Sequence, residues 1–213
     1  PPAPSPQGEG VMNLPTLLTL FRIAMGPAIA ALVLWAAQVT YSDRLLAGML
    51  YAASLMLFLL AAATDWLDGW LARKLNAVTP LGAALDHTAD KVLIACVLLV
   101  LAYAALPLNL VAASVIILGR DVAIAGLREG AAALGKALPV AMLGKWKAAA
   151  EMAGVAAFLA FQAAALLGYS ADVVLGLKRA ALILLWMAAA LALASAAGYV
   201  AALLSPDDRT QAH

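Results

Sequence analysis

Four aspartates, Asp65, Asp68, Asp86 and Asp90, stand in the stretch DWLDGWLARKLNAVTPLGAALDHTAD, surrounded mostly by Ala, Leu, Val, Ile and Met. Asp65 and Asp68 are spaced i,i+3 and Asp86 and Asp90 i,i+4, so on helices each pair shares one face. A carboxylate at lipid depth costs about 2.5 to 3.5 kcal/mol on insertion scales. Four of them converging would also push one another toward neutral forms. A divalent cation resolves both difficulties. All-oxygen ligands suit Mg²⁺ or Mn²⁺, Ca²⁺ being a third candidate, and four carboxylates can bridge two such ions about 3.5 to 4 Å apart. The competing reading makes the aspartates solvated helix-end charges balanced by Arg73, Lys74 and Lys91; it leaves the paired spacings unexplained.

Small residues accompany the carboxylates. Gly69 follows Asp68, Ala72 lies one turn further on, and Gly82 stands four residues before Asp86, which leaves room for a ligand or for close helix approach. Arg73 and Lys74 add cations, and the arginine fork suits a phosphate or diphosphate. A second basic cluster occurs in GRDVAIAGLREGAAALGKALPVAMLGKWK, 119–147, where Arg120, Arg128, Lys136, Lys145 and Lys147 could bind the phosphate of a polar acceptor. Asp121 and Glu129 could hold the arginines in place. Each of these cations also fits simple anchoring at a membrane surface. LGK at 143–145 is no nucleotide-binding loop, because Pro139 occupies the position that needs glycine. HExxH and GxSxG are absent, and the single cysteine, Cys96, precludes CxxC.

The elements that must position these groups are membrane helices. Of 213 residues 66% are hydrophobic and only 12% charged, about half the charged fraction of a soluble domain, and the mean hydropathy is +0.97. A net charge of +1 gives no reason to expect nucleic acid as a partner. Six apolar segments, near 21–40, 47–66, 84–105, 107–127, 147–168 and 178–203, approach the ~20 residues that cross hydrocarbon. Breaks at YSDR, ALPLN and GYSAD fit tight helix hairpins. Residues 13–22, NLPTLLTLFR, predict a short interfacial helix before the first span, with Asn13 or Thr16 as its cap. Asn13 and Arg22 could also face the aspartate site. The organisation expected is therefore a disordered tail at 1–11, one all-α six-span domain at 12–204, and a C-terminal tail at 205–213.

Alternating six spans puts ten cations on the side of both termini and three, Arg44, Lys178 and Arg179, on the other. That asymmetry predicts both termini inside. The aspartate pairs then flank a cytoplasmic hairpin.

The pattern from Asp65 through Asp68, Gly69, Ala72, Arg73, Gly82 and Asp86 to Asp90 resembles the signature of the CDP-alcohol phosphatidyltransferases, integral membrane enzymes of phospholipid synthesis. The resemblance implies a homodimer of six-helix protomers with a two-metal site open to the cytoplasm. It implies Asp65, Asp68, Asp86 and Asp90 as metal-site residues, Asp90 as the base, and Asp68, Gly69, Ala72, Arg73 and Gly82 around the CDP diphosphate. NLPTLLTLFR, LREGAAALGK and GKWK resemble the bacterial branch that makes phosphatidylglycerophosphate from sn-glycerol 3-phosphate, an enzyme type of the inner (cytoplasmic) membrane. That likeness implies Arg120, Arg128, Lys145 and Lys147 as contacts of the acceptor phosphate. Four positions depart from the branch: His87 where proline is usual, Asp121 for glutamate, Ala148 for threonine and Glu151 for glutamine.

The implied chemistry is attack of the acceptor hydroxyl on the phosphorus bonded to diacylglycerol in CDP-diacylglycerol, with CMP leaving into a site bordered by membrane lipid. A sister transferase using serine or inositol phosphate would share the aspartates and differ in the second basic cluster. A divalent-ion transporter would also place carboxylates between helices, but has no use for the Asp-Gly-x2-Ala-Arg arrangement.

Overall fold

The computed structural model describes the backbone of residues 14–74, 80–105, 107–133 and 142–204, and the side chains of 17–64, 88–105, 107–133 and 142–198. The expected tails at 1–11 and 205–213 lie outside the described residues. Six helices follow one another: α1 Leu14–Val39, α2 Arg44–Lys74, α3 Pro80–Ala104, α4 Leu108–Ala133, α5 Met142–Leu167 and α6 Ala171–Leu204. Each extends past its apolar segment at one end or both, because a backbone leaving hydrocarbon keeps its hydrogen bonds most cheaply by remaining helical. The largest such extension concerns the aspartates. The second apolar segment ends near residue 66 in sequence, yet the α2 backbone continues helical to Lys74, so the ten residues from Asp65 onward span about 15 Å at 1.5 Å per residue. Asp65, Asp68, Gly69, Ala72 and Arg73 all belong to this extension.

The separate interfacial helix expected at 13–22 is corrected. Residues from Leu14 onward form the opening turns of α1 itself, which runs unbroken through Pro27 to Val39. Nothing between 14 and 22 forces a break, and a proline is tolerated in a membrane helix because its neighbours supply the missing contacts.

Turn chemistry closes the hairpins where the breaks predict them. Asp43 caps α2, its Oδ1 accepting from the Leu46 N–H at 2.9 Å. Gly168 ends α5 at φ 81°, a left-handed conformation that glycine adopts without a Cβ clash, and the Tyr169 N–H then donates to Ala164 O at 3.0 Å. Buried hydroxyls are satisfied within their own helices, as where Ser54 Oγ donates to Leu50 O at 2.8 Å and Ser114 Oγ to Leu110 O at 2.9 Å.

α1 packs on α2 and α3, α2 on α5, α5 on α6, and α6 on α4. The core between them holds Ile29, Val33, Tyr51, Phe58, Leu98, Leu101, Ile117, Phe158 and Leu185. The outside is equally apolar: Trp35, Met56, Leu99, Tyr103, Val115, Ile183 and Leu193 are all exposed. A surface of that kind belongs against lipid. Among the described residues five helices are long and apolar enough to cross a membrane, α3 not being one of them. The chain is a multi-pass membrane protein.

Two close approaches fix the bundle. At Gly154 an added Cβ would lie 3.1 Å from the backbone N of Leu185, bringing α5 and α6 together. At Gly26 it would lie 3.2 Å from the Cα of Leu93, where α1 crosses α3. Arg22 stands one turn before Gly26 and Asp90 three residues before Leu93, so this crossing also sets the distance between those two charges. Gly26→Val is expected to cost about 1 to 3 kcal/mol through overpacking and to impair activity by separating Arg22 from Asp90. Thermal unfolding in detergent with a parallel activity assay checks it; a variant unchanged in both would show that the crossing tolerates a side chain.

Candidate active site

A single face of α5 begins the site. Gly144, Lys147, Ala148, Glu151 and Met152 recur at intervals of three and four, the helical repeat, and all line a cavity of about 220 Å³. α3 contributes Asp90, Lys91 and Ile94, and α4 contributes Arg120, Asp121 and Arg128. Lys145 completes the lining from the opening turn of α5. α4 runs toward this end of the bundle and α5 away from it, so Arg128 and Lys145 belong to helix ends while Arg120, Ile94, Glu151 and Met152 lie further into the bundle.

Charges this deep are held in pairs. Arg22 of α1 is fully buried, and its Nη1 donates to Asp90 Oδ1 at 3.2 Å. The Asp90 side chain remains 31% exposed, so its carboxylate is oriented by a buried guanidinium yet open toward the cavity. Lys147 Nζ lies 2.7 Å from Asp121 Oδ2 and 2.6 Å from Glu151 Oε2. Arg120 Nη1 donates to Asp121 Oδ1 at 3.2 Å and its Nη2 to Ser195 Oγ of α6 at 2.7 Å; Ser195 Oγ donates its own hydrogen bond to Ala192 O. Lys91 Nζ donates to the main-chain carbonyl of Asp121 at 3.2 Å. Asp121 thus ties α3, α4 and α5 together, and Arg120 adds α6. In low dielectric such a network holds its members in one arrangement, because releasing any one strands a buried charge.

The structure brings Arg120, Arg128, Lys145 and Lys147 to one cavity and sets Asp90 in its wall. Asp65, Asp68, Gly69, Ala72 and Arg73 fall on the extension of α2, and Gly82 and Asp86 on the first turns of α3; their side chains lie outside the described residues. Asp86 precedes Asp90 by one helical turn on the same helix. Among the described residues no group of three His, Cys, Asp or Glu side chains is placed to hold a metal ion, and of the four aspartates only Asp90 has a described side chain.

Of the two acidic residues expected to hold arginines, Asp121 does so and Glu129 is exposed. The Lys147 ammonium, expected on the acceptor phosphate, is engaged by two carboxylates. Arg22, a lone cation in an apolar helix, could be suspected of facing the site and does so. Ser195 gives no signal in sequence: a single hydroxyl among the alanines of α6 reads as small-residue packing. Glu151 reads there only as a substitution.

A profile of the family described as CDP-alcohol phosphatidyltransferase matches residues 12–202. The CDP-diacylglycerol--glycerol-3-phosphate 3-phosphatidyltransferase of Escherichia coli (strain K12) is 41% identical over 148 residues, 68% of this chain and 75% of that protein. The protein of the same name from Pseudomonas fluorescens is 37% identical over 152 residues, covering 70% of this chain and 73% of its own. A rice (Oryza sativa subsp. japonica) protein named cardiolipin synthase (CMP-forming) is 34% identical over 174 residues, which are 74% of this chain and 49% of that protein. The chain therefore spans about half the length of the rice relative.

Proposed function

This chain belongs to the CDP-alcohol phosphatidyltransferase family, and from that membership we propose that it transfers the phosphatidyl group of CDP-diacylglycerol to sn-glycerol 3-phosphate, giving phosphatidylglycerophosphate and CMP. The observation that carries the choice of acceptor is the charge of the cavity beside Asp90. Among the described residues its lining holds five basic side chains, Lys91, Arg120, Arg128, Lys145 and Lys147, against three acidic ones, Asp90, Asp121 and Glu151, a basic excess of two. A phosphate monoester carries about −1.5 to −2 at neutral pH, so the excess suits one such group and not the net-neutral serine. The volume, about 220 Å³, lies below the ~300 to 1,000 Å³ of pockets that enclose drug-sized ligands. That favours a three-carbon acceptor over inositol phosphate. The two bacterial relatives carry the same acceptor in their names.

In this reading Arg128 and Lys145 hold the acceptor phosphate at the helix ends, while Arg120 and Lys147, anchored on Asp121, supply fixed positive charge behind it. The acceptor hydroxyl oxygen attacks the phosphorus bonded to diacylglycerol. The bond from that phosphorus to the bridging oxygen breaks, CMP leaves with that oxygen, and the hydroxyl proton passes to the Asp90 carboxylate. Arg22 keeps Asp90 aimed, and Arg73 would offset charge on the diphosphate, near Asp68, Gly69, Ala72 and Gly82. Four carboxylates with no softer donor, one of them open to the cavity, fit a pair of hard divalent cations, Mg²⁺ or Mn²⁺; Asp65, Asp68, Asp86 and Asp90 would hold them. Such ions, when bound, polarise the phosphoryl oxygens and stabilise the departing CMP oxyanion.

We place α3 as the sixth span and the site on the cytoplasmic face of a bacterial inner membrane, on the strength of the cation asymmetry and the bacterial relatives. The homodimer rests on the family resemblance alone.

An acceptor panel with purified protein, CDP-diacylglycerol and Mg²⁺ tests the proposal. Phosphatidylglycerophosphate and CMP are expected from glycerol 3-phosphate, with no product from serine or inositol phosphate. The rice relative makes phosphatidylglycerol the most informative rival acceptor: cardiolipin formed from it, without transfer to glycerol 3-phosphate, would replace the assignment. Divalent-ion flux without CMP release from CDP-diacylglycerol in the presence of any acceptor would remove the enzymatic reading altogether.

A further inference from the structure

Glu151 has no part in the transfer as described, and its position is unexpected. It puts an acidic side chain into a cavity whose basic excess would serve a phosphate. The residue is 3% exposed. Its Oε2 is held by Lys147 at 2.6 Å, but its Oε1, also buried, has no hydrogen-bond partner among the described residues. A buried carboxylate oxygen left in that state is costly unless a donor arrives with the ligand. The phosphate is a poor candidate for that donor, because its dianion only accepts.

The place of Glu151 along α5 says which part of the acceptor it meets. From Lys145 to Glu151 the helix rises about 9 Å, into the bundle and toward Ile94 and Met152. An acceptor whose phosphate is held by Lys145 and Arg128 therefore directs its hydroxyl-bearing end toward Asp90 and Glu151. One hydroxyl reacts and gives its proton to Asp90. Resting on the acceptor proposed above, we infer that Glu151 reads the second, non-reacting hydroxyl: its Oε1 accepts a hydrogen bond from the hydroxyl vicinal to the attacking one. That contact makes the site selective for phosphorylated vicinal diols. Glu151 lines the cavity, and Lys147, by holding Oε2, leaves Oε1 as the oxygen to accept from the ligand, so it acts here as a positioning residue.

The test is a ratio. Turnover is measured as kcat/KM for glycerol 3-phosphate and for 1,3-propanediol monophosphate, which keeps the phosphate and the reacting hydroxyl but lacks the vicinal one. The wild-type protein is expected to prefer glycerol 3-phosphate by roughly ten- to a hundredfold, the range of a hydrogen bond to a charged group. Glu151→Leu should bring the ratio close to one, and Glu151→Gln, which retains a carbonyl oxygen at the same reach, should recover part of it. A role confined to holding Lys147 would slow both acceptors alike and leave the ratio at its wild-type value, which would overturn the inference. An indifferent wild-type protein would overturn it too, whatever the variants do, so the inference remains testable if Glu151→Leu fails to fold. Activity on neither compound with activity on phosphatidylglycerol would reject the acceptor assignment itself, and Glu151 with it; transfer to glycerol 3-phosphate with an unaltered ratio in both variants rejects Glu151 alone.

Discussion

Asp90→Asn is expected to lower kcat for phosphatidyl transfer by about 10² to 10⁴-fold, the usual contribution of a positioned general base. The amide is nearly isosteric and keeps an oxygen for the Arg22 guanidinium, which donates to Asp90 Oδ1 at 3.2 Å. It cannot take a proton from the acceptor hydroxyl. The loss should therefore fall on kcat more than on KM for either substrate. Because the fully buried Arg22 would face a neutral partner, some destabilisation accompanies the substitution, and thermal unfolding must be followed in parallel. Retained folding with near-wild-type turnover would exclude Asp90 as the base. CDP-dependent binding of Mn²⁺, measured by paramagnetic relaxation, should survive in weakened form; its complete loss would shift the role of Asp90 from proton acceptor to indispensable metal ligand.

The second large effect concerns stability. Lys147→Met keeps the length of the side chain while removing an ammonium that lies 2.7 Å from Asp121 and 2.6 Å from Glu151. The side chains of those carboxylates are only 14% and 4% exposed, so neither finds water in exchange. Removing one partner of a buried ion pair costs about 3 to 5 kcal/mol, which should appear as a marked fall in the unfolding midpoint in detergent or nanodiscs. The double substitution Lys147→Met with Glu151→Leu should regain part of the loss, since one stranded charge goes with it and replacing both members of a buried pair by apolar groups is often close to neutral. An unchanged midpoint for Lys147→Met would mean that the network contributes nothing to holding α4 and α5 together.

How much of this was legible beforehand differs by residue. The aspartate spacings, the apolar lengths and the Asp-Gly-x2-Ala-Arg arrangement are local properties, set by the helical period and by the thickness of hydrocarbon. They carry the family and the six helices without reference to packing. The interfacial helix expected at 13–22 failed for a local reason as well: composition marks where polarity changes, whereas a helix ends where its hydrogen bonds do, and α1 has no break there. Asp121 was legible as a holder of arginines but not as the partner of Lys147, because that pair joins two helices 26 residues apart in sequence.

Sequence alone therefore determined that this is a membrane-embedded helical protein with paired carboxylates and an excess of cations at one end, since those follow from residue type and period. Only the tertiary structure decided which cations are already spent on internal carboxylates, that Arg22 belongs to Asp90, that Ser195 supports Arg120, and that one oxygen of the buried Glu151 has no hydrogen-bond partner among the described residues. Those outcomes depend on which helix faces meet. That is set by steric matches such as Gly26 against Leu93 and Gly154 against Leu185, whose partners lie far apart in the chain and leave no periodic trace within either helix.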